Sequence, residues 1–281
     1  MDFYKGTIPI IHDDAESMAY AMPGADGNGN AIGYGYVPRD FKVDPPEMFS
    51  PLTEIEIIPE SEWDARYDEG EVNKSTLEHV FLPSNLPAFV NLDQNGNGYC
   101  WAYSTGHALM MARLRENQAT VRLNPHSVAA IIKGGRDEGG WCGLSAKFAR
   151  ETGYAEEGTG PGQWPLHSRN LKYDTPECRA QMARFRTTEE FVDLTRNAYD
   201  QNLARNQLAT CLFNNLPCPT DFNWWGHSVC SVRWVRIERG SWGLLILNSW
   251  LGWGRHGLGV LQGSKARTDG ALCIRTATIS G

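Results

Sequence analysis

From residue 100 to about 116 the chain reads CWAYSTGHALMMARLRE, almost continuously apolar or small, and this predicts a long buried helix. Two shorter helices are predicted over 125 to 132 and about 144 to 152, the second closed by Gly153 as its C-cap, and a fourth over about 202 to 214. The period then changes. VCSVRWVRI (229 to 237) alternates, ERGS offers a turn, WGLLILNSW (242 to 250) is an apolar strand and LGVLQG (258 to 263) is another. Helices first and an antiparallel sheet second is an α+β pattern.

The front of the chain lacks both periods. Residues 1 to about 50 include PGADGNGNAIGYGYVPRDFKVDPPEMFSP, rich in Gly, Pro, Asn and Asp, and read as an irregular arm. Within it DGNGNA approaches a calcium-loop pattern, but Ala31 stands where that loop needs Gly and Val37 where it needs Glu, so turn chemistry is the better reading. A short alternating strand is predicted over 53 to 58, then a short helix capped by Ser61. These make a connector, and the compact domain begins near Leu82. The predicted division is an acidic arm and connector over 1–80 and one domain over 81–281.

Composition narrows the function classes. With 281 residues and 41% hydrophobic content the chain can bury a sizeable core. Its net charge of -7 is uneven: residues 1 to 80 hold 17 Asp and Glu against 5 Lys and Arg, and the remainder 16 against 21. The basic residues are scattered and not clustered with aromatics, which argues against a nucleic-acid groove. LLIL at 244 to 247 is the longest aliphatic run and the start MDFYKGTIPI is no export signal, so we expect a soluble, non-secreted protein of the cytoplasm, or of a particle assembled there, with no membrane partner. The seven cysteines form no C-x-x-C pair and no zinc-type spacing with histidine, so we expect free thiols and no structural metal.

Cys100 is the first candidate for chemistry. NGNG before it cannot easily continue a helix, and CWAYSTGHALMMARL can begin one, so its sulfur would face the N–H groups of a first helical turn. That position lowers a thiol pKa from its ordinary value of about 8.5 and favours a nucleophile over a small core residue or half of a disulfide. A thiol nucleophile needs a base oriented by a third group. His227 begins the first strand of the sheet, and Asn248 lies near the end of the returning strand, where the two can meet. His256, in WGRHGLG, is the rival base. His12 and His79 lie in the arm and connector, and His107 inside the helix.

Four segments in order, QNGNGYCWAYS, GGWCG, GHSVCSVRWV and LNSWLGWGRHGLGVL, resemble the signature segments of papain-like cysteine peptidases and span most of residues 90 to 261. The steps of 127 residues from Cys100 to His227 and 148 to Asn248 compare with about 130 to 150 in that family. The resemblance implies a papain-like fold, with a helical half carrying Cys100, a β-sheet half carrying His227 and Asn248, and a peptide substrate in the cleft between them. It implies Cys100 as nucleophile, His227 as its base, Asn248 as the group that fixes the imidazole tautomer, and a thioester acyl-enzyme, with no metal or organic cofactor. By the same resemblance Gln94 would donate to the developing oxyanion with the Cys100 N–H, Trp250 would shield the His227–Asn248 contact, and Gly139 and Gly140 would lie along the substrate backbone.

Departures from the family pattern bear on this reading. Asn97 and Asp137 occupy the positions of a cysteine pair that the family usually bridges, Tyr99 stands where a small residue is usual, and Gly226 where Asn or Asp often precedes the histidine. The front 80 residues do not resemble the family's helical inhibitory prosegment, so the sequence implies no activation by cleavage. Two alternatives stay open. One is a structural or binding subunit of a large assembly, such as a virus particle, anchored by the arm, because an irregular arm is ordered only when something ties it down. The other is acyl transfer to an amine.

Overall fold

The computed structural model describes residues 8–52, 55–73, 92–119, 121–187, 191–195 and 200–275. Among the described residues two helices precede the central one: α1 (Ala15–Ala21) and α2 (Trp63–Asn73). The central helix α3 (Cys100–Arg115) is buried without a break from Cys100 to Arg113, as its apolar sequence predicts. It runs between the main sheet on one side and α4 (Pro125–Lys133) and α5 (Cys142–Glu151) on the other. Asn124 caps α4 by accepting from the His126 N–H at 2.9 Å, Pro125 fills the first helical position, and Gly134 ends the helix at φ 62°; such caps contribute about 1 kcal/mol each. α5 starts two residues earlier than predicted because Asp221, from the sheet, accepts the Cys142 N–H at 3.2 Å. Its end follows expectation, with Gly153 at φ 99°. Helices α6 (Pro176–Met182) and α7 (Gln201–Phe213) complete the helical set among the described residues.

The strands are β1 (Ile10–Ile11), β2 (Ser50–Pro51), β3 (Leu123–Asn124), β4 (Ala155–Glu156), β5 (Val192–Asp193), β6 (Cys218–Phe222), β7 (His227–Glu238), β8 (Ser241–Leu247), β9 (Leu258–Gln262) and β10 (Gly270–Cys273). One sheet has the order β1-β9-β8-β7-β6-β10-β5-β2, and β3 pairs separately with β4. The predicted hairpin is β7 and β8, turning at Gly240 with φ 76°. β8 stops at Leu247 and not at 250, because the Asn248 N–H turns to the Gly257 carbonyl at 2.8 Å. The interior of the sheet is antiparallel as expected. Both edges differ: β1 joins β9 and β2 joins β5 in parallel, so segments of the arm cover the two open edges.

The strand predicted over 53 to 58 is absent from 55 to 58, and 53, 54 and Leu82 lie outside the described residues. Ile58 donates its N–H to Thr210 Oγ1 at 3.0 Å, a side-chain partner in place of a strand neighbour. Ser61 lies inside a 3-10 turn (Glu60–Glu62) without capping α2, which is anchored instead by Trp63, buried edge-on against Trp234 and Trp242. In DGNGNA the Asp26 carboxylate is taken by the N–H groups of Asn28 and Asn30 at 2.8 and 2.9 Å, the turn chemistry expected. No helix among the described residues is long and apolar enough to cross a membrane.

Candidate active site

Cys100 is the first residue of α3 and is fully buried. The backbone N–H groups of Ser228 in β7 and of Gly35 in the arm lie close enough to its sulfur to favour the thiolate. Next to Ser228, His227 places its Nε2 2.8 Å from Asn248 Oδ1, across the start of the hairpin. The Ser249 N–H also donates to Asn248 Oδ1, at 2.7 Å. An oxygen receiving that donor must accept from the ring as well, so Nε2 carries the proton and Nδ1 is the bare nitrogen. Nδ1 is buried and has no partner. Trp250 stacks on the imidazole at 4.1 Å and Trp225 meets it edge-on at 5.1 Å, which closes this contact to water. The rival His256 is exposed in a turn at φ 54°, so it is His227 that the fold brings to Asn248.

Gln94 is held from both sides. Its N–H donates to the Ser249 carbonyl at 2.9 Å, and its Oε1 accepts from Ser249 Oγ at 2.6 Å. Both Nε2 hydrogens then have fixed directions, one to Asn97 O at 2.6 Å and one to Gly33 O at 2.7 Å. Where the family usually has a disulfide, Asp137 Oδ1 accepts the Gly98 N–H at 2.8 Å, which ties the same two loops together. All seven cysteines are free. Tyr99 turns its hydroxyl away to Arg136 O at 2.7 Å and its ring toward His126.

The arm fills the cleft. Gly140 donates to Gly35 O and accepts from the Val37 N–H, both at 2.8 Å, in a parallel bridge centred on Tyr36. On the opposite wall the Tyr36 N–H reaches Gly226 O at 3.2 Å. Gly139 and Gly140 border an extended backbone that belongs to the chain's own arm. Its fit depends on glycine: a Cβ on Gly35 would stand 1.9 Å from Gly98 O and one on Gly33 2.3 Å from Asn97 O, well inside contact distance. Tyr34 packs edge-on against Trp250 at 5.4 Å, and Arg39 anchors the far end through Asp193 Oδ2 at 2.6 Å. The ordered arm is thus accounted for by contacts within the chain.

Covering the cleft sets the charge state. Burial pushes the Cys100 thiol up to about 12; the Ser228 and Gly35 N–H groups pull the other way, and buried Asp221 adds to the push. Burial likewise holds His227 down at about 3 against the pull of Asn248. The sequence predicts a lowered thiol from the helix N-terminus alone. In the covered cleft desolvation outweighs it, and thiol and imidazole are both neutral.

Three contributors were not singled out in the sequence: Ser249, Ser228 and Asp221. Ser228 Oγ donates to the Asp221 carboxylate, which burial raises to about 6. An acidic residue within the apolar strand CPTDF is the signal that could have marked Asp221.

No family model matches the sequence, and no curated protein matches it. Among solved structures the chain is similar to xylellain, a cysteine protease from Xylella fastidiosa, at 17% identity and a TM-score of 0.59 over 89% of this chain and 98% of that one. It is also similar to digestive procathepsin L2 proteinase from the larval midgut of Tenebrio molitor, at 18% identity and a TM-score of 0.50 over 98% of this chain and 75% of that one. The chain has the papain-like fold, a helical half and a sheet half with the site between them.

Proposed function

We propose that this chain is a papain-type thiol peptidase held latent by residues 32–37 of its own arm. The observation that carries the reading is the bare, buried Nδ1 of His227, its other nitrogen committed to Asn248, on the residue adjoining the N–H donor to the Cys100 sulfur. With the arm displaced, Nδ1 takes the Cys100 proton as sulfur attacks a peptide carbonyl, then returns it to the leaving amine; water hydrolyses the thioester. The Gln94 N–H now directed at Gly33 O would turn to the developing oxyanion.

In this reading the arm acts as an inhibitor and not as a substrate: the Gln94 amide that would serve the oxyanion is occupied by the carbonyl of Gly33, and the Gly35 N–H lies near the sulfur.

A quenched fluorescent peptide library tests this. Gly35→Ala, which cannot seat the arm, is expected to hydrolyse peptides faster than the parent, and adding Cys100→Ser is expected to remove hydrolysis by at least about 10³-fold. A folded Gly35→Ala chain whose Cys100 is accessible to iodoacetamide but which cleaves no peptide would reject peptidase function.

A further inference from the structure

Three of the cysteines meet away from the cleft. Cys211 lies in the last turn of α7, Cys218 opens β6 and Cys273 closes β10. All three are fully buried, and their sulfurs lie within 4.8 Å of one another. Local structure makes the meeting. The chain doubles back after α7, with the Leu216 N–H on Cys211 O at 3.0 Å, and the Ile274 N–H reaches Pro217 O at 3.3 Å alongside the pairing of β10 with β6. This place is separate from the candidate active site, since β6 extends about 13 Å from Cys218 to Phe222, the residue paired with His227.

We propose that Cys211, Cys218 and Cys273 form a buried three-thiolate site for a soft, thiophilic d10 cation, with Cu(I) as the favoured occupant. Three sulfurs around one ion at metal–thiolate distances of about 2.3 Å stand about 4 Å apart, so closing from at most 4.8 Å requires shifts of less than about 1 Å. The donor set selects the ion. Among the described residues the group has three sulfurs and no carboxylate or imidazole member, and all three are buried away from solvent, whereas a structural zinc site takes four protein ligands. A soft all-sulfur set suits Cu(I).

Loading replaces three S–H bonds by three metal–sulfur bonds and releases three protons, with no change of oxidation state. The sequence shows nothing of this site, because ligands at 211, 218 and 273 have none of the close spacing that marks a metal motif.

The test is anaerobic titration of the reduced, full-length chain with Cu(I) held by a competing chelator, followed by X-ray absorption at the copper edge. We expect one ion per chain bound through three sulfurs at about 2.3 Å, uptake weakened at least about tenfold by Cys218→Ala or Cys273→Ala, and unchanged uptake in Cys100→Ser. Should the alanine variants fail to fold, the sulfur count in the parent decides: three supports the site, and two or fewer overturns it. Absence of uptake, or uptake that vanishes in Cys100→Ser, also overturns it and leaves the cluster as sulfur packing in the core. None of these outcomes depends on peptidase activity.

Discussion

The backbone N–H groups of Ser228 and Gly35 both favour the Cys100 thiolate, and the segments that bring them are held by different forces. Ser228 belongs to β7, in the interior of the sheet, where Val229, Val232, Trp234 and Val235 are buried along the same strand. Gly35 belongs to a stretch held chiefly by main-chain hydrogen bonds to Gly140 and Gly226 and by close glycine contacts. Each such hydrogen bond contributes only about 1 kcal/mol net, and another extended backbone can supply the same ones. The sheet's burial has no substitute in solution. A segment that must leave the cleft is held by replaceable contacts, and the one that must stay by apolar burial.

The largest expected effect falls on the sheet. Leu245→Ala, at a fully buried position of β8, should lower global stability by about 2–5 kcal/mol, read by denaturant unfolding, and make no selective change at Cys100. A loss under about 1 kcal/mol would mean that the two segments do not differ as described.

Gly35→Ala should do the reverse. The Cβ would clash with Gly98 O in the loop before Cys100, and the arm is the partner free to lift away, so iodoacetamide labelling of Cys100 should rise at least about tenfold, equivalent to about 1.4 kcal/mol of arm binding, while Tm moves by only about 2 °C. Labelling as slow as the parent's would show that the arm does not control access.

The smallest effect is graded with pH. Burial holds His227 and His126 down at about 3, from an ordinary 6.5, so the folded chain binds fewer protons than the unfolded one between those values. Their stabilisation is complete above about pH 6.5 and is lost as pH falls toward 3. Asp221, raised from 3.8 to about 6, runs the other way: its contribution is complete below its unfolded value and is lost as pH rises through 6. Two histidines against one aspartate leave a net loss of about 1 kcal/mol per pH unit on acidification from 6 to 4, visible in Tm. A flat or rising Tm would indicate that the rings are solvated, and with them the cleft.

Much of the fold was legible because burial leaves periodic traces. The helices starting near Cys100 and Pro125 and the β7–β8 hairpin follow from apolar pattern and turn residues within a few positions. The approach of His227 to Asn248 followed from the hairpin together with the family resemblance. The errors have tertiary causes. Asp221 draws the start of α5 forward, and Thr210 takes a backbone donor that a strand over 53 to 58 would have paired. The glycines at 33 and 35 were read only as part of an irregular arm, since a sequence does not reveal which backbone passes within about 2 Å of where a side chain would begin.

The sequence by itself determined the helix that starts at Cys100, the hairpin that carries His227 toward Asn248, and the residue types a thiol mechanism needs, because each depends on neighbours within a few positions or on a recognisable order of segments. Only the tertiary structure decided that the cleft is filled by the arm, that burial leaves the thiol and the imidazole neutral there, and that Cys211, Cys218 and Cys273 converge. These depend on which distant segments share a volume and on how much water that volume admits, and local pattern carries neither quantity.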